Sequence, residues 1–300
     1  MSREIREIIA AFERRPNEPL ALATLVRARG SSYRRPGARM LVTRDGLTIG
    51  ALSGGCLEEE VAARAQEVIA TGGPILLNFD TRLRYGCNGA IEIFVERVAR
   101  EFLAGIADAI CARRSCCAAT IFTDEYSLGS RLIAQPNELE MEAFVQTILP
   151  PLRLISIGEG PESAALRGFG QTLGWEIIET DDASTLSDEF DSWTAVIVKT
   201  HNYGRDFAAL HKLLPLGLRY VALIGPRRRR DQLLHALADA GVETRSEFFA
   251  PAGLDLGAET PEEIALALVA EIQAIFAGAP GEFLRERDAP IHLVRELAVA

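Results

Sequence analysis

The sequence predicts an α/β chain: a mixed α+β N-terminal domain followed by a doubly wound parallel-sheet C-terminal domain. Three observations predict it. The second half alternates short apolar runs with helix-period segments, the pattern of parallel strands covered by helices on both faces. The first half groups several short strands between helical stretches instead. A stretch holding Pro136, Pro150 and Pro151 separates the two patterns, and 300 residues is a length that suits two domains.

The elements follow in order. Residues 3–14 repeat Ile5, Ile8, Ile9 and Phe12 at helical spacing. Strands are expected at 20–28, 38–43 and 48–53, with the polar connection GSSYRRPG at 30–37. A helix over 57–71 stops at Gly72-Gly73. PILLNFD (74–80) and AIEIFVER (90–97) are further strands, joined through TRLRYGCNG. A helix over 101–112 and a strand over 117–123 complete the first domain, 1–135. Residues 136–151 read as a linker around a short helical piece, and 152–300 as the second domain. There the expected strands are 152–158, 175–180, 194–200 and 220–225, and the helices 162–173, 205–214, 228–240 and 261–277. Thr260, Pro261 and Glu263 carry the signature of a capped helix start.

Composition narrows the function classes. Hydrophobic residues make up 48% and charged residues 25%, ordinary values for a globular protein. No run of 18 apolar residues occurs, so no membrane helix is expected. The amphipathic start MSREIREIIAAFERR lacks the apolar centre of a secretory signal, which points to a cytoplasmic protein. A net charge of −10 argues against a general nucleic-acid binder, which needs a basic face. In a cytosolic chain of this size the five cysteines need not form disulfides, and no two are spaced C-x-x-C, so a structural zinc site is not expected.

In the second half, LISIGEGPESAALRGFG joins strand, glycine turn and helix. Gly158 and Gly160 occupy the first two places of a G-x-G-x-x-G fingerprint, and Ser163 the third. Glu179, Asp181 and Asp182 follow where an acid can hold a ribose hydroxyl. These features mark a Rossmann-like domain and admit a dinucleotide, NAD(P). The same glycines would serve a bare strand-to-helix turn, and Glu159 and Glu162 put negative charge beside the phosphate place. Lys199, His201 and Asn202 end another strand, with His201 readable as a general acid or base or as a plain strand-end residue. Arg227 to Arg230 open a helix, where cations sit poorly, and suit an anionic ligand or acidic partner.

In the first half, Cys56 follows Gly54-Gly55, and Cys87 lies within YGCNGA. Glycine flanks allow close ligand approach, and a thiol at a helix start can become the thiolate that binds metal. Such cysteines can equally be small buried hydrophobes, and Glu58, Glu59 and Glu60 oppose a thiolate at Cys56. Cys111, Cys116 and Cys117 read as packing residues. Ser31, Arg34, Arg35 and Arg39 offer donors suited to phosphate, or else decorate a solvated hairpin loop.

In order along the chain, RGSSYRRPGARMLV, GALSGGCLEEEV, YGCNGAIEIFVE, ISIGEGPESA, KTHNYGRD and YVALIGPRRRR resemble the xanthine dehydrogenase accessory protein family of the XdhC/CoxI type. The resemblance implies a cytoplasmic, often dimeric maturation factor rather than an enzyme. Such a factor binds molybdenum cofactor (molybdopterin), shelters it during sulfuration and delivers it to a xanthine dehydrogenase-type molybdoenzyme. A cysteine desulfurase is the implied second partner. Cys56 and Cys87 would face the metal. Ser31, Arg34, Arg35, Arg39, Gly54, Gly55, Gly158, Gly160, Asp181, His201 and Arg227 would complete the cofactor set. The chain departs from the family's usual G-A-G-H turn at Pro161 and from its T-H-D-H motif at Asn202-Tyr203. An NAD(P)-dependent oxidoreductase and a non-catalytic scaffold are the competing readings.

Overall fold

The computed structural model describes residues 2–80, 89–123, 127–135, 142–186 and 190–288. The chain divides into two compact units, Met1–Pro150 and Pro151–Ala300.

The first unit is built on a five-stranded antiparallel sheet in the order β3-β2-β1-β5-β4. Its strands are β1 (Ala21–Gly30), β2 (Arg39–Val42), β3 (Thr48–Gly50), β4 (Ile75–Asp80) and β5 (Gly89–Arg97). Strand alternation sends Ala21, Ala23, Leu25, Met40, Val42, Ile93 and Val95 to one face. There they pack against Val61, Ala65 and Val68 of α2 (Glu58–Thr71). The opposite face carries Leu22 and Leu41, covered by α1 (Ser2–Glu13) and α3 (Arg100–Cys111) through Ile8, Phe12, Phe102 and Ile106.

A second, three-stranded antiparallel sheet, β7-β6-β8, belongs to the same unit. It comprises β6 (Cys116–Ile121), β7 (Gly129–Ile133) and β8 (Ala143–Ile148). Residues 143–148 fall inside the stretch assigned to a linker with a helical piece, and they form a strand instead. The cause is alternation: Phe144, Gln146 and Ile148 share one side, and each meets a residue of the large sheet or of its helical cover. Strand β7 also went unseen in the sequence.

The second unit holds five parallel strands in the order β10-β9-β11-β12-β13. They are β9 (Arg153–Ile157), β10 (Glu176–Thr180), β11 (Thr194–Val198), β12 (Val221–Leu223) and the two-residue β13 (Phe248–Phe249). Helices α4 (Ser163–Leu173) and α7 (Pro261–Phe276) cover one face, and α5 (Tyr203–Leu213) and α6 (Arg227–Asp239) the other. This is the doubly wound, Rossmann-like arrangement expected. Counting strands from β9, the order is 2-1-3-4-5, so the topological switch point lies between β9 and β11.

Helix α7 begins with the complete capping box: Thr260 Oγ1 accepts from Glu263 N at 3.3 Å, and Glu263 Oε2 accepts from Thr260 N at 3.0 Å. Thr260→Ala is expected to cost about 1 kcal/mol, the usual worth of an N-cap. Urea denaturation followed by tryptophan fluorescence measures it, because Trp175 and Trp193, the chain's two tryptophans, both lie in this unit.

Candidate functional site

In the first unit, the chain leaves β3 and turns through residues 51–57 before α2 starts. Glu58 folds back over this turn. Its Oε1 accepts from Leu52 N at 3.0 Å and Ser53 N at 2.7 Å, and its Oε2 from Ser53 Oγ at 2.6 Å and Leu57 N at 3.1 Å. Burial pushes the Glu58 carboxyl up, but the donors from Ser53 and Leu57 outweigh it and hold the group below the usual carboxylate range. Its negative charge is therefore committed to the turn. Ser53 Oγ also accepts from Gly55 N and Cys56 N, both at 3.2 Å, and lies 3.5 Å from Cys56 Sγ.

The result is a rigid turn presenting Gly54, Gly55 and Cys56, all exposed. Tyr33 of the β1–β2 connection stands beside it: a Cβ at Gly54 would lie 3.9 Å from the tyrosine ring. Tyr33 is itself 69% exposed. The glycine–cysteine turn and the arginine loop are thus neighbours, and Ser31 and Arg35 are exposed on that loop.

The arginines separate. Arg34 forms a two-pronged ion pair with Glu4 of α1, and that hydrogen bond raises its already high pKa. Arg39 turns inward from β2 and is only 5% exposed. Its Nη1 donates to Gln146 Oε1 at 2.7 Å and to Gly37 O at 3.3 Å. Among the described residues, Arg35 alone of the three has a side chain without a hydrogen-bonding or ion-pair partner, and it remains at the surface. Cys87 lies outside the described residues. Among those described, no three His, Cys, Asp or Glu side chains are grouped so as to hold a metal ion.

In the second unit, a cleft of about 350 Å³ opens between the ends of β9 and β10. Gly158, Gly160, Ser163, Arg167, Glu179 and Asp181 are among its lining residues. Gly158 has φ +98°, and a Cβ there would come within 2.7 Å of Thr200 Cα, so the first fingerprint glycine is required by the neighbouring strand end. Gly160 makes room for something else. A Cβ there would lie 2.4 Å from Glu162 Oε1, because the Glu162 carboxylate packs against the turn. Glu162 is 5% exposed and sits 3.1 Å from Lys199 Nζ, whose side chain is fully buried. Lys199 Nζ also donates to Ser163 Oγ at 2.5 Å, and Ser163 Oγ accepts from Gly160 N at 3.1 Å. Arg167 pairs with Glu179 at the cleft's outer wall.

His201 and Arg227 are at other strand ends and do not line this cleft. His201 is exposed, in the left-handed region at φ +54°. Its turn is fixed by Asp206, which is fully buried and accepts from Thr200 N at 3.2 Å and Thr200 Oγ1 at 2.5 Å while pairing with Arg229. Arg227 is exposed at the first position of α6. Sequence reasoning passed over Tyr33, Ser53 and Asp206. A usable signal for Asp206 was an acid in the first helical turn after a strand-end Thr-His-Asn.

Comparison with known proteins bears on the family of each unit. Residues 14–80 match the XdhC and CoxI family, and residues 154–272 match the XdhC Rossmann domain. A probable xanthine dehydrogenase subunit of Bacillus subtilis (strain 168) is 29% identical over 310 aligned residues, spanning 85% of this chain and 92% of that protein. The molybdenum cofactor insertion chaperone PaoD of Escherichia coli (strain K12) is 26% identical over 275 residues, 85% of this chain and 82% of its own. A Bacillus halodurans crystal structure, described as that of a xanthine dehydrogenase, superposes with a TM-score of 0.76 at 27% identity, covering 90% of this chain and 96% of the other. In both units, then, the chain belongs to the XdhC and CoxI family.

Proposed function

We infer that this protein is an accessory factor of molybdenum enzymes: it binds molybdenum cofactor, assists its sulfuration and hands it to a xanthine dehydrogenase-type apo-enzyme. The observation that carries this reading is the exposed Cys56 thiol on a turn clamped by Glu58 and Ser53, beside a loop with a free cation at Arg35. The donor set fits the group. A thiol suits the soft metal–sulfur end, and a guanidinium suits a phosphate. The likeness to a named cofactor insertion chaperone supports the same reading.

In this account Cys56, with Cys87, holds the metal end, and Gly54 and Gly55 leave the backbone open to close approach. Arg35 and Ser31 take the phosphate. Arg34 and Arg39 shape the unit rather than touch the ligand, given their partners Glu4 and Gln146. When bound, the cofactor supplies a metal centre that accepts sulfur. The protein's part is to bind, orient and shield it, which asks for no catalytic group of its own. A cysteine desulfurase as sulfur donor, a molybdoenzyme as recipient, a homodimeric state and a cytoplasmic location complete the proposal. Among the described residues no helix is long and apolar enough to cross a membrane.

The test is cofactor retention. The full chain, incubated with a molybdenum cofactor source and re-isolated, is expected to carry pterin and molybdenum together. The Cys56→Ala/Cys87→Ala variant is expected to lose roughly tenfold or more of it, since even supporting groups of a metal site cost that much when removed. Unchanged retention in the variant, or none in the wild type, rejects the reading. Target activation that survives the double substitution identifies a scaffold instead.

A further inference from the structure

Open doubly wound sheets take their ligands at the carboxyl ends of the strands, in the crevice at the switch point, with anions on the helix start that follows the first strand. In this chain that crevice lies between β9 and β11. Four groups converge there. Lys199 reaches across from the end of β11, fully buried. Ser163 Oγ and Gly160 N come from the turn and helix start after β9. Glu162 places its carboxylate against Gly160, 3.1 Å from Lys199 Nζ.

A cation, a hydroxyl and a backbone N–H beside a glycine are the donors that would cradle a ligand phosphate. The anion beside them belongs to the protein. We propose that Glu162 is a built-in occupant of the phosphate site of the second unit: its carboxylate pairs with Lys199, while Gly160 N and the Lys199 ammonium both donate to Ser163 Oγ, so that the donors a phosphate would need are already taken within the chain. The second fingerprint glycine then serves this internal contact, and a nucleotide phosphate has nowhere to settle while Glu162 stays.

The pair also accounts for a charge that otherwise has no place in the domain. An ammonium buried to this degree is costly unless an anion lies against it. A phosphate could take over that role only by expelling Glu162, whose carboxylate is itself almost wholly buried. Among the described residues the adjoining cleft between β9 and β10 offers three acids, Glu159, Glu179 and Asp181, and its one lining arginine is already paired with Glu179, so it provides no second seat for phosphate.

The experiment is titration of the full chain with inorganic phosphate, ADP and NADH at constant ionic strength, with chloride as control, read by calorimetry and by thermal shift. The wild type is expected to show no saturable response to any of the three up to about 10 mM, a range in which a formed phosphate site would register. Glu162→Gln removes the charge that holds this side chain against Lys199, so that a phosphate can displace it and pair with the lysine. It is expected to bind phosphate and ADP at least about tenfold more tightly than the wild type, because pairing a stranded buried cation recovers its desolvation cost. Glu162→Gln/Lys199→Met, with neither charge, is expected to lose that gain. Saturable binding of NADH or ADP by the wild type overturns the proposal whether or not the variants fold. So does a folded Glu162→Gln chain that answers phosphate no better than chloride.

Discussion

Replacing Asp206 with alanine is expected to destabilise the second unit by about 3–5 kcal/mol, the cost of removing one partner of a buried ion pair. Asp206 is fully buried, and three donors converge on its carboxylate: Thr200 N, Thr200 Oγ1 and the Arg229 guanidinium. Alanine strands all three. Arg229 is 21% exposed in its side chain and regains some hydration, which favours the lower end of the range. Asp206→Asn retains an oxygen for Thr200 and loses only the charge, so it should fall well short of the alanine loss. In Asp206→Ala/Arg229→Met the two losses should overlap by about 1 kcal/mol or more, as expected for residues in direct contact. Urea titration followed by the fluorescence of Trp175 and Trp193 reads the second unit directly. Strict additivity of the two substitutions would show that Asp206 acts on Thr200 alone. The consequence reaches the strand ends, because Thr200 packs against Gly158 and precedes His201 with its left-handed backbone. A chain without Asp206 loses the order of both turns together.

Much of the architecture was legible because it rests on local periodicity. Ile5, Ile8, Ile9 and Phe12 announced α1, and all four are buried on one side of it. The Thr260–Glu263 box was readable since capping involves residues three apart. The alternation of the second half contained the doubly wound sheet, though strand order does not follow from alternation alone. What escaped depends on distant partners. GSRLI and AFVQTI become β7 and β8 by pairing with β6, and their own composition gives a weak strand signal beside prolines.

The candidate site divides along the same line. Cys56 is exposed on a glycine turn, as its flanks suggested. Glu58 looked like an obstacle to a thiolate and proves to be the clamp of the turn, a role decided by backbone N–H groups at Leu52 and Ser53 that composition does not reveal. The three arginines of one short loop were indistinguishable in the sequence. Glu4, 30 residues away, claims Arg34, and Gln146, 107 residues away, claims Arg39. Glu162 was visible as a charge ill-suited to phosphate, but its answer, Lys199, stands on a different strand end. Cys87 lies outside the described residues, so its part in the site rests on the cofactor experiment.

Arg39→Met is the second large effect, and its pH dependence identifies the cause. Arg39 lies between the two sheets of the first unit, where burial pushes its pKa down to about 10 despite the attraction of Glu96. Glu96 is equally enclosed: Ser130 N donates to its Oε2 at 2.9 Å, while Oε1 has no hydrogen-bond partner among the described residues. Burial lifts the Glu96 carboxyl above its ordinary value, and Ser130 and Arg39 restrain the rise. Removing Arg39 removes that restraint and lifts it further. For an acid whose folded pKa exceeds the unfolded one, the stabilising proton is fully present below about 4.5 and is lost as pH rises through the folded value. The variant is therefore expected to lose about 1–3 kcal/mol near pH 8, and less as the pH falls, changing by at most about 1.4 kcal/mol per pH unit. Far-UV circular dichroism in urea at several pH values measures this, while tryptophan fluorescence reports the second unit as an internal control. Arg39→Met/Glu96→Gln should recover most of the loss and flatten its pH dependence, since glutamine still accepts from Ser130 and methionine fills space beside Phe102, whose ring centre is 5.9 Å from the guanidinium carbon. A loss that stays constant with pH would assign the effect to the bonds Arg39 gives Gln146 and Gly37 rather than to the buried charge of Glu96.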